Sequence, residues 1–197
     1  MGKEFRHLRV LREQLEANID IEIQSKVLDG IDYVKDSSSP EIKAKWAEEI
    51  IERLDKHINK ETCIKIRENC ACLKSNEKST YAQMFRRLRN LYNDDHEYLN
   101  AVVDYLNATA PLRRCGEVSF DNGKIITVIA RDHCNCPIIS KGLKNSLPVT
   151  WCHCCKGSIL SVIKYIYPNK KCDMVIKETV ASGGRTCAFE STFINGL

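Results

Sequence analysis

Between His133 and Cys155 the chain places five cysteines and two histidines within 23 residues. The run reads His133-Cys134-Asn135-Cys136-Pro137, then Pro148-Val149-Thr150-Trp151-Cys152-His153-Cys154-Cys155-Lys156-Gly157. A fold that accommodates this stretch must bury small thiols, gather them around a metal, or present them as reactive groups. Cys134 and Cys136 are two residues apart, as are Cys152 and Cys154. In extended backbone, residues i and i+2 face the same side, so each pair can present two sulfurs to one point. Thiolates suit zinc, copper(I) or an iron–sulfur cluster, and a zinc site takes four ligands near tetrahedral geometry. The spacing is not the Cys-x-x-Cys of zinc ribbons, so core thiols and redox or nucleophilic thiols stay open beside the metal. His133 and His153 flank the pairs as further ligands, as groups that activate a thiol, or as surface imidazoles. Trp151 is a core anchor or a platform on which a ligand stacks. Gly157 is expected to open a helix after the loop.

The chain has eleven cysteines in 197 residues. Its first residues lack an apolar h-region, so no secretory signal is expected. A disulfide framework is then disfavoured and a reducing, cytoplasmic setting expected. No run of 18 apolar residues occurs, so no membrane-spanning helix is expected. Charge is uneven: from Pro111 onward 12 Lys+Arg face 6 Asp+Glu, a surplus of +6, while residues 1–110 carry 18 against 20, a balance of −2. A basic half can attract an anionic small molecule. It is too diffuse for nucleic acid, and no groove-reading motif accompanies it.

Apolar residues recur at helical spacing over 4–17 (Phe5, Leu8, Leu11, Leu15) and 19–34 (Ile19, Ile23, Val27, Leu28, Ile31), where Gly30 weakens the end. Ser39-Pro40 reads as a cap and first turn, followed by an apolar stripe of Ile42, Trp46, Ile50, Ile51, Leu54 and Ile58. Further helices are expected over 61–72, from Tyr81 to Tyr92, and over 95–108, and Pro111 is expected to end the helical half. Cys63, Arg67 and Cys70 share one helical face: either a buried thiol seam, or a pocket wall on which Arg67 holds a ligand carboxylate. Beyond Pro111 the texture changes. Cys115–Phe120 and Lys124–Arg131 flank Asp121-Asn122-Gly123, a hairpin signal. Gly157–Tyr167 reads as a helix, and Cys172–Ala181 and Thr186–Phe193 as strands around Ser182-Gly183-Gly184-Arg185. The predicted fold is α+β: a helical segment over 1–110, then a β-β-α-β-β antiparallel sheet unit with a helix packed on it over 111–197, together one domain. Glu178 falls in an otherwise apolar strand, so its carboxylate needs a partner unless it faces solvent.

The run Glu178-Thr-Val-Ala-Ser-Gly183-Gly184-Arg-Thr-Cys187-Ala-Phe189 resembles the closing motif of 4-vinyl reductase-like domains, a small-molecule-binding fold. The upstream Cys-x-Cys-Pro and Pro-x-x-x-Cys-x-Cys-x-x-Gly are similar to a cysteine-rich branch of that group. The branch includes L-2-amino-thiazoline-4-carboxylic acid hydrolase-like and uncharacterised bacterial proteins, and the likeness covers roughly residues 111–195. It implies zinc held by Glu178 and Cys187 with a partner from Cys152, Cys154 and Cys155. Val180 and Ala181 stand where many members carry another cysteine, so Cys134 or Cys136 would have to complete the set. Three functional readings follow. The first is a metal-dependent small-molecule-binding or sensor domain. The second is a hydrolase of the thiazoline type, acting on a C–N bond with His133 or His153 as general base. In the third, a metal staples the loop of a protein that pairs with a partner, for instance as a homodimer.

Overall fold

The structure, a computed structural model, describes residues 4–113 and 116–194. The first four helices follow from capping and apolar stripes. Helix α1 (Arg6–Asn18) buries Leu8, Leu11 and Leu15. Helix α2 (Ile21–Leu28) is capped by Asp20, which accepts from the Ile23 amide, and it stops before Gly30; the rest of the expected 19–34 segment is not helical. Helix α3 (Pro40–His57) opens as its sequence indicates, with Ser39 accepting from the Ile42 amide and Pro40 in the first turn. Asn59 caps α4 (Lys60–Asn69), which ends short of the expected residue 72. Helix α5 (Thr80–Leu91) is capped by Ser79. Helix α6 (Asp95–Arg113) runs past Pro111, where the helical half was expected to end.

Four strands form one antiparallel sheet in the order β1-β2-β4-β3: β1 (Glu117–Asp121), β2 (Lys124–Arg131), β3 (Cys172–Glu178) and β4 (Thr186–Phe193). Cys115, the expected start of the first strand, lies outside the described residues. Asn122 and Gly123 turn the β1–β2 hairpin, both at positive φ (49° and 77°), with Asp121 paired to Lys124. That is the two-residue turn whose twist matches the flanking strands. Strand β3 stops at Glu178, three residues earlier than expected, because Val180–Ser182 forms a 3-10 turn.

The helix of the second half also differs from expectation. Helix α7 is His153–Ile163 and follows a 3-10 turn over Val149–Cys152. It begins four residues before Gly157, which lies inside it. The Trp151 amide donates to Pro148 O at 3.0 Å, so the chain is already coiled where an extended loop was expected. Gly157 serves a different purpose from opening the helix. A β-carbon there would stand 2.1 Å from Glu68 O, so the missing side chain is what lets α7 lie directly on the backbone of α4.

Two apolar clusters meet at α7. One packs α1–α4 around Trp46 and Trp151, joined by Ile138, Ile139, Leu147, Cys136, Cys152 and Cys154. Trp46 and Trp151 stand edge to face, 6.2 Å between centroids and 82° between planes. The other packs α5, α6 and α7 onto the inner face of the sheet through Phe85, Leu106, Val162 and Phe189. Residues on both sides of position 110 contribute to each cluster. Among the described residues, no helix is long and apolar enough to cross a membrane.

The α4–α7 contact yields the first prediction. Gly157→Ala inserts a methyl against backbone that cannot yield by rotamer change, and should cost about 1–3 kcal/mol. Urea unfolding of the two proteins measures it, and an unchanged midpoint would show that the helices do not approach this closely.

Candidate functional site

The inner stripe of α7, Cys155, Ser158, Ile159, Val162 and Ile163, recurs at helical spacing and does not fully close against the sheet. A cavity of about 200 Å³ remains. Its far wall is Val118 on β1 with Thr127, Ile129 and Ala130 on β2, and its end is the turn Cys134–Pro137. Pairing of β2 with β4 slips between Val128 and Ala130, a bulge that turns the strand at the cavity wall. Cys72, Cys134, Cys136, Cys154, Cys155 and Cys187 all line this one space.

The sequence places five of these six on its candidate list. The two halves of the cysteine stretch do meet, but not by the alternation of an extended loop. Residues 152–155 are coiled, so Cys152 and Cys154 point apart instead of together. Cys152 turns to Thr179, and its burial pushes its thiol up to about 12. Cys154 turns into the cluster, where the thiols of Cys155 and Cys72 lie against its sulfur. Those two neighbours, then the charges of Arg67 and His7, hold Cys154 well below the ordinary thiol range despite its burial. Cys155 and Cys72 move the opposite way. Burial pushes Cys136 up to about 12, with Cys154 adding to the effect.

Arg67 is 3% exposed, inside the core behind the thiols and off the cavity wall. Its guanidinium stacks on Trp151, 4.1 Å from Cζ to the ring centroid, and donates from Nη2 to Trp151 O at 2.9 Å. Trp151 is therefore a core anchor that holds a cation. Of the residues sharing α4's face with Arg67, Cys63 bonds to Asp55 at 3.6 Å and Cys70 is buried, neither one on the cavity.

Glu178 holds a turn. Its carboxylate accepts from the amides of Arg185 (2.7 Å) and Thr186 (3.2 Å) and from Thr186 Oγ1 (2.5 Å), and these bonds keep it below the usual carboxylate range. A β-carbon at Gly184 would collide with it at 2.3 Å. The Glu–Gly–Arg–Thr pattern is thus a self-contained piece of turn architecture. His153 Nδ1 lies 3.2 Å from Glu68 Oε1, where Lys156 Nζ also binds at 2.8 Å; a carboxylate partner requires the proton on Nδ1. His133 is exposed on an open groove beside β1 and β2 that also takes in Cys134. Among the described residues, no three side chains of His, Cys, Asp or Glu are placed to hold a metal ion.

Three contributors were given no site role from the sequence. Cys72, expected in the helix over 61–72, lies just past the end of α4. His7 sits on α1, some 147 positions before the thiol it influences. Thr127, 3% exposed on the cavity wall, has a hydroxyl without a hydrogen-bond partner among the described residues. A threonine inside an apolar strand was the one available signal.

The α4–α7 ion cluster carries a pH prediction. Burial raises the Glu68 carboxyl, but the bonds from His153 and Lys156 outweigh it, and the group titrates below its ordinary value of 4.5. A depressed carboxylate stabilises the fold above the unfolded value, and that stabilisation is lost as pH falls through the folded one. Wild type should therefore exceed Glu68→Gln in urea stability at neutral pH, with the gap closing as the pH falls below the ordinary value of 4.5. A gap that persists in acid would contradict the assignment.

A family model matches residues 4–195, nearly the whole chain. No curated protein matches it. Neither finding ties the chain to the 4-vinyl reductase-like domains or the thiazoline hydrolase-like proteins. The chain belongs to a family of unknown function, DUF6144.

Proposed function

We propose that the protein is a small-molecule-binding domain whose ligand occupies the thiol-lined cavity between α7 and the sheet. The observation that carries this reading is Thr127: a buried hydroxyl without a partner among the described residues, on the wall of a largely apolar space. Such a group costs roughly 1–3 kcal/mol while unpaired, and a ligand with one polar atom relieves the cost. Size limits the ligand. An apolar cavity of about 150 Å³ takes benzene, so about 200 Å³ takes something slightly larger. Among the described residues no Lys, Arg, His, Asp or Glu side chain lines the space, which disfavours the anion that the basic half suggests.

The thiols would suit a soft metal, but among the described residues no ligand set gathers for one, so the reading rests on the cavity. A hydrolase reading lacks its base: His153 pairs with Glu68, and His133 lies on the outer groove. A cytoplasmic setting fits the free thiols.

Two outcomes are expected. Indole or phenol should raise the melting temperature of the wild type, and Ile159→Trp, which fills the cavity, should remove that rise while keeping the circular dichroism of the fold. No rise with either compound, or an undiminished one in the variant, would overturn the reading. Thr127→Val should raise stability without ligand by about 1 kcal/mol, since it deletes an unpaired polar group at similar volume. A loss of stability would mean that the hydroxyl is already satisfied.

A further inference from the structure

Cys154 and Cys72 stand out in a way that ligand binding does not require. Cys154 is the second residue of α7. Arg67 lies behind it, a buried cation whose Nε has no hydrogen-bond partner among the described residues. Across the same cavity lining is Cys72, exposed to solvent. The segment that carries Cys72 is sewn onto α7: the Leu73 amide donates to Ser158 Oγ at 3.2 Å, the Ser75 amide to Ser161 Oγ at 3.1 Å, and Ser161 Oγ back to Leu73 O at 3.2 Å. Ser158 Oγ in turn donates to Cys154 O at 2.9 Å, so one hydrogen-bonded framework carries two cysteines 82 residues apart in sequence. Both line the cavity, which gives a small oxidant a route to the buried one.

We propose that Cys154 and Cys72 form a redox-active pair that reduces a hydroperoxide, Cys154 attacking the peroxide and Cys72 closing the disulfide. The Cys154 thiolate attacks one peroxide oxygen, and the O–O bond breaks. The departing alkoxide or hydroxide takes a proton and leaves as alcohol or water, with Cys154 now a sulfenic acid. Cys72 then attacks the Cys154 sulfur. The S–S bond forms and hydroxide leaves, taking the Cys72 proton as water. In sum, two thiols and one hydroperoxide give one disulfide, one alcohol or water, and one further water. Oxidation removes the negative sulfur beside Arg67, so the reduced form is favoured and an external dithiol reverses the bond readily.

The test treats the reduced full-length protein with one equivalent of hydrogen peroxide, blocks free thiols and maps the peptides by mass spectrometry. The expected product is a Cys72–Cys154 disulfide, formed about tenfold faster than Cys172 is oxidised. In Cys72→Ser, Cys154 should accumulate as a sulfenic acid that dimedone traps, while Cys172→Ser, outside the cavity, should leave the Cys72–Cys154 bond unaffected. Absence of oxidation at Cys154, a disulfide confined to other cysteines, or a Cys154 disulfide at wild-type yield in Cys72→Ser would each overturn the proposal. None of these readouts depends on whether indole or phenol binds.

Discussion

The interior of this protein contains a positive charge that cannot be neutralised by losing a proton. A guanidinium stays charged at any ordinary pH, and burying one without an anion is among the costliest arrangements a fold can contain. Arg67 has no carboxylate within an ion pair among the described residues. Its surroundings are the Trp151 ring, one backbone carbonyl, and the sulfurs of Cys154, Cys70, Cys136 and Cys155. Trp46 and Trp151 add two indole N–H groups without partners among the described residues. The core around α4 and α7 is rich in donors, and the one group suited to answer them is a thiol that gives up its proton. The cysteine cluster is thus the electrical counterpart of Arg67 as well as a lining for a cavity.

That requirement ties the helices to the sheet. Gly157 lets α7 settle on α4, which brings Cys154 to Arg67. The serine contacts along α7 then bring the segment that carries Cys72 to the same cavity. The outer end of the α4–α7 contact is closed by Glu68 with His153 and Lys156. The opposite face of α7 leaves the cavity against β1 and β2, with the β2 bulge at its wall. A single helix therefore organises both the charge balance and the space for a ligand.

Much of the fold is legible in the chain because local chemistry decides it. Asp121-Asn122-Gly123 turns as such a tripeptide must, and Ser39-Pro40 opens α3. The α+β layout, helices first and an antiparallel sheet after, follows from the shift in apolar period near residue 111. The site is legible in part: Cys134, Cys136, Cys154, Cys155 and Cys187 do converge. What sequence spacing hides is the rotation of each side chain. Two residues along a strand face one way, whereas along a helix they diverge by roughly 200°, and that difference sends Cys152 to Thr179 and Cys154 to Arg67. Glu178 misleads for a related reason. A carboxylate in an apolar strand demands a partner, and the demand is met by the amides of the turn that follows. Cys72 and His7 reach the site only through tertiary packing, which no local pattern announces.

The ionisation of Cys154 in the folded protein tests this account most directly. Thiolates absorb in the far ultraviolet where thiols do not, so the absorption of the reduced native protein at neutral pH can be compared with that of Cys154→Ser. The account predicts about one thiolate per chain in the wild type, lost in the variant and lost on unfolding at the same pH. Equal absorption in the two folded proteins would contradict it, and would leave the charge of Arg67 without its counterpart.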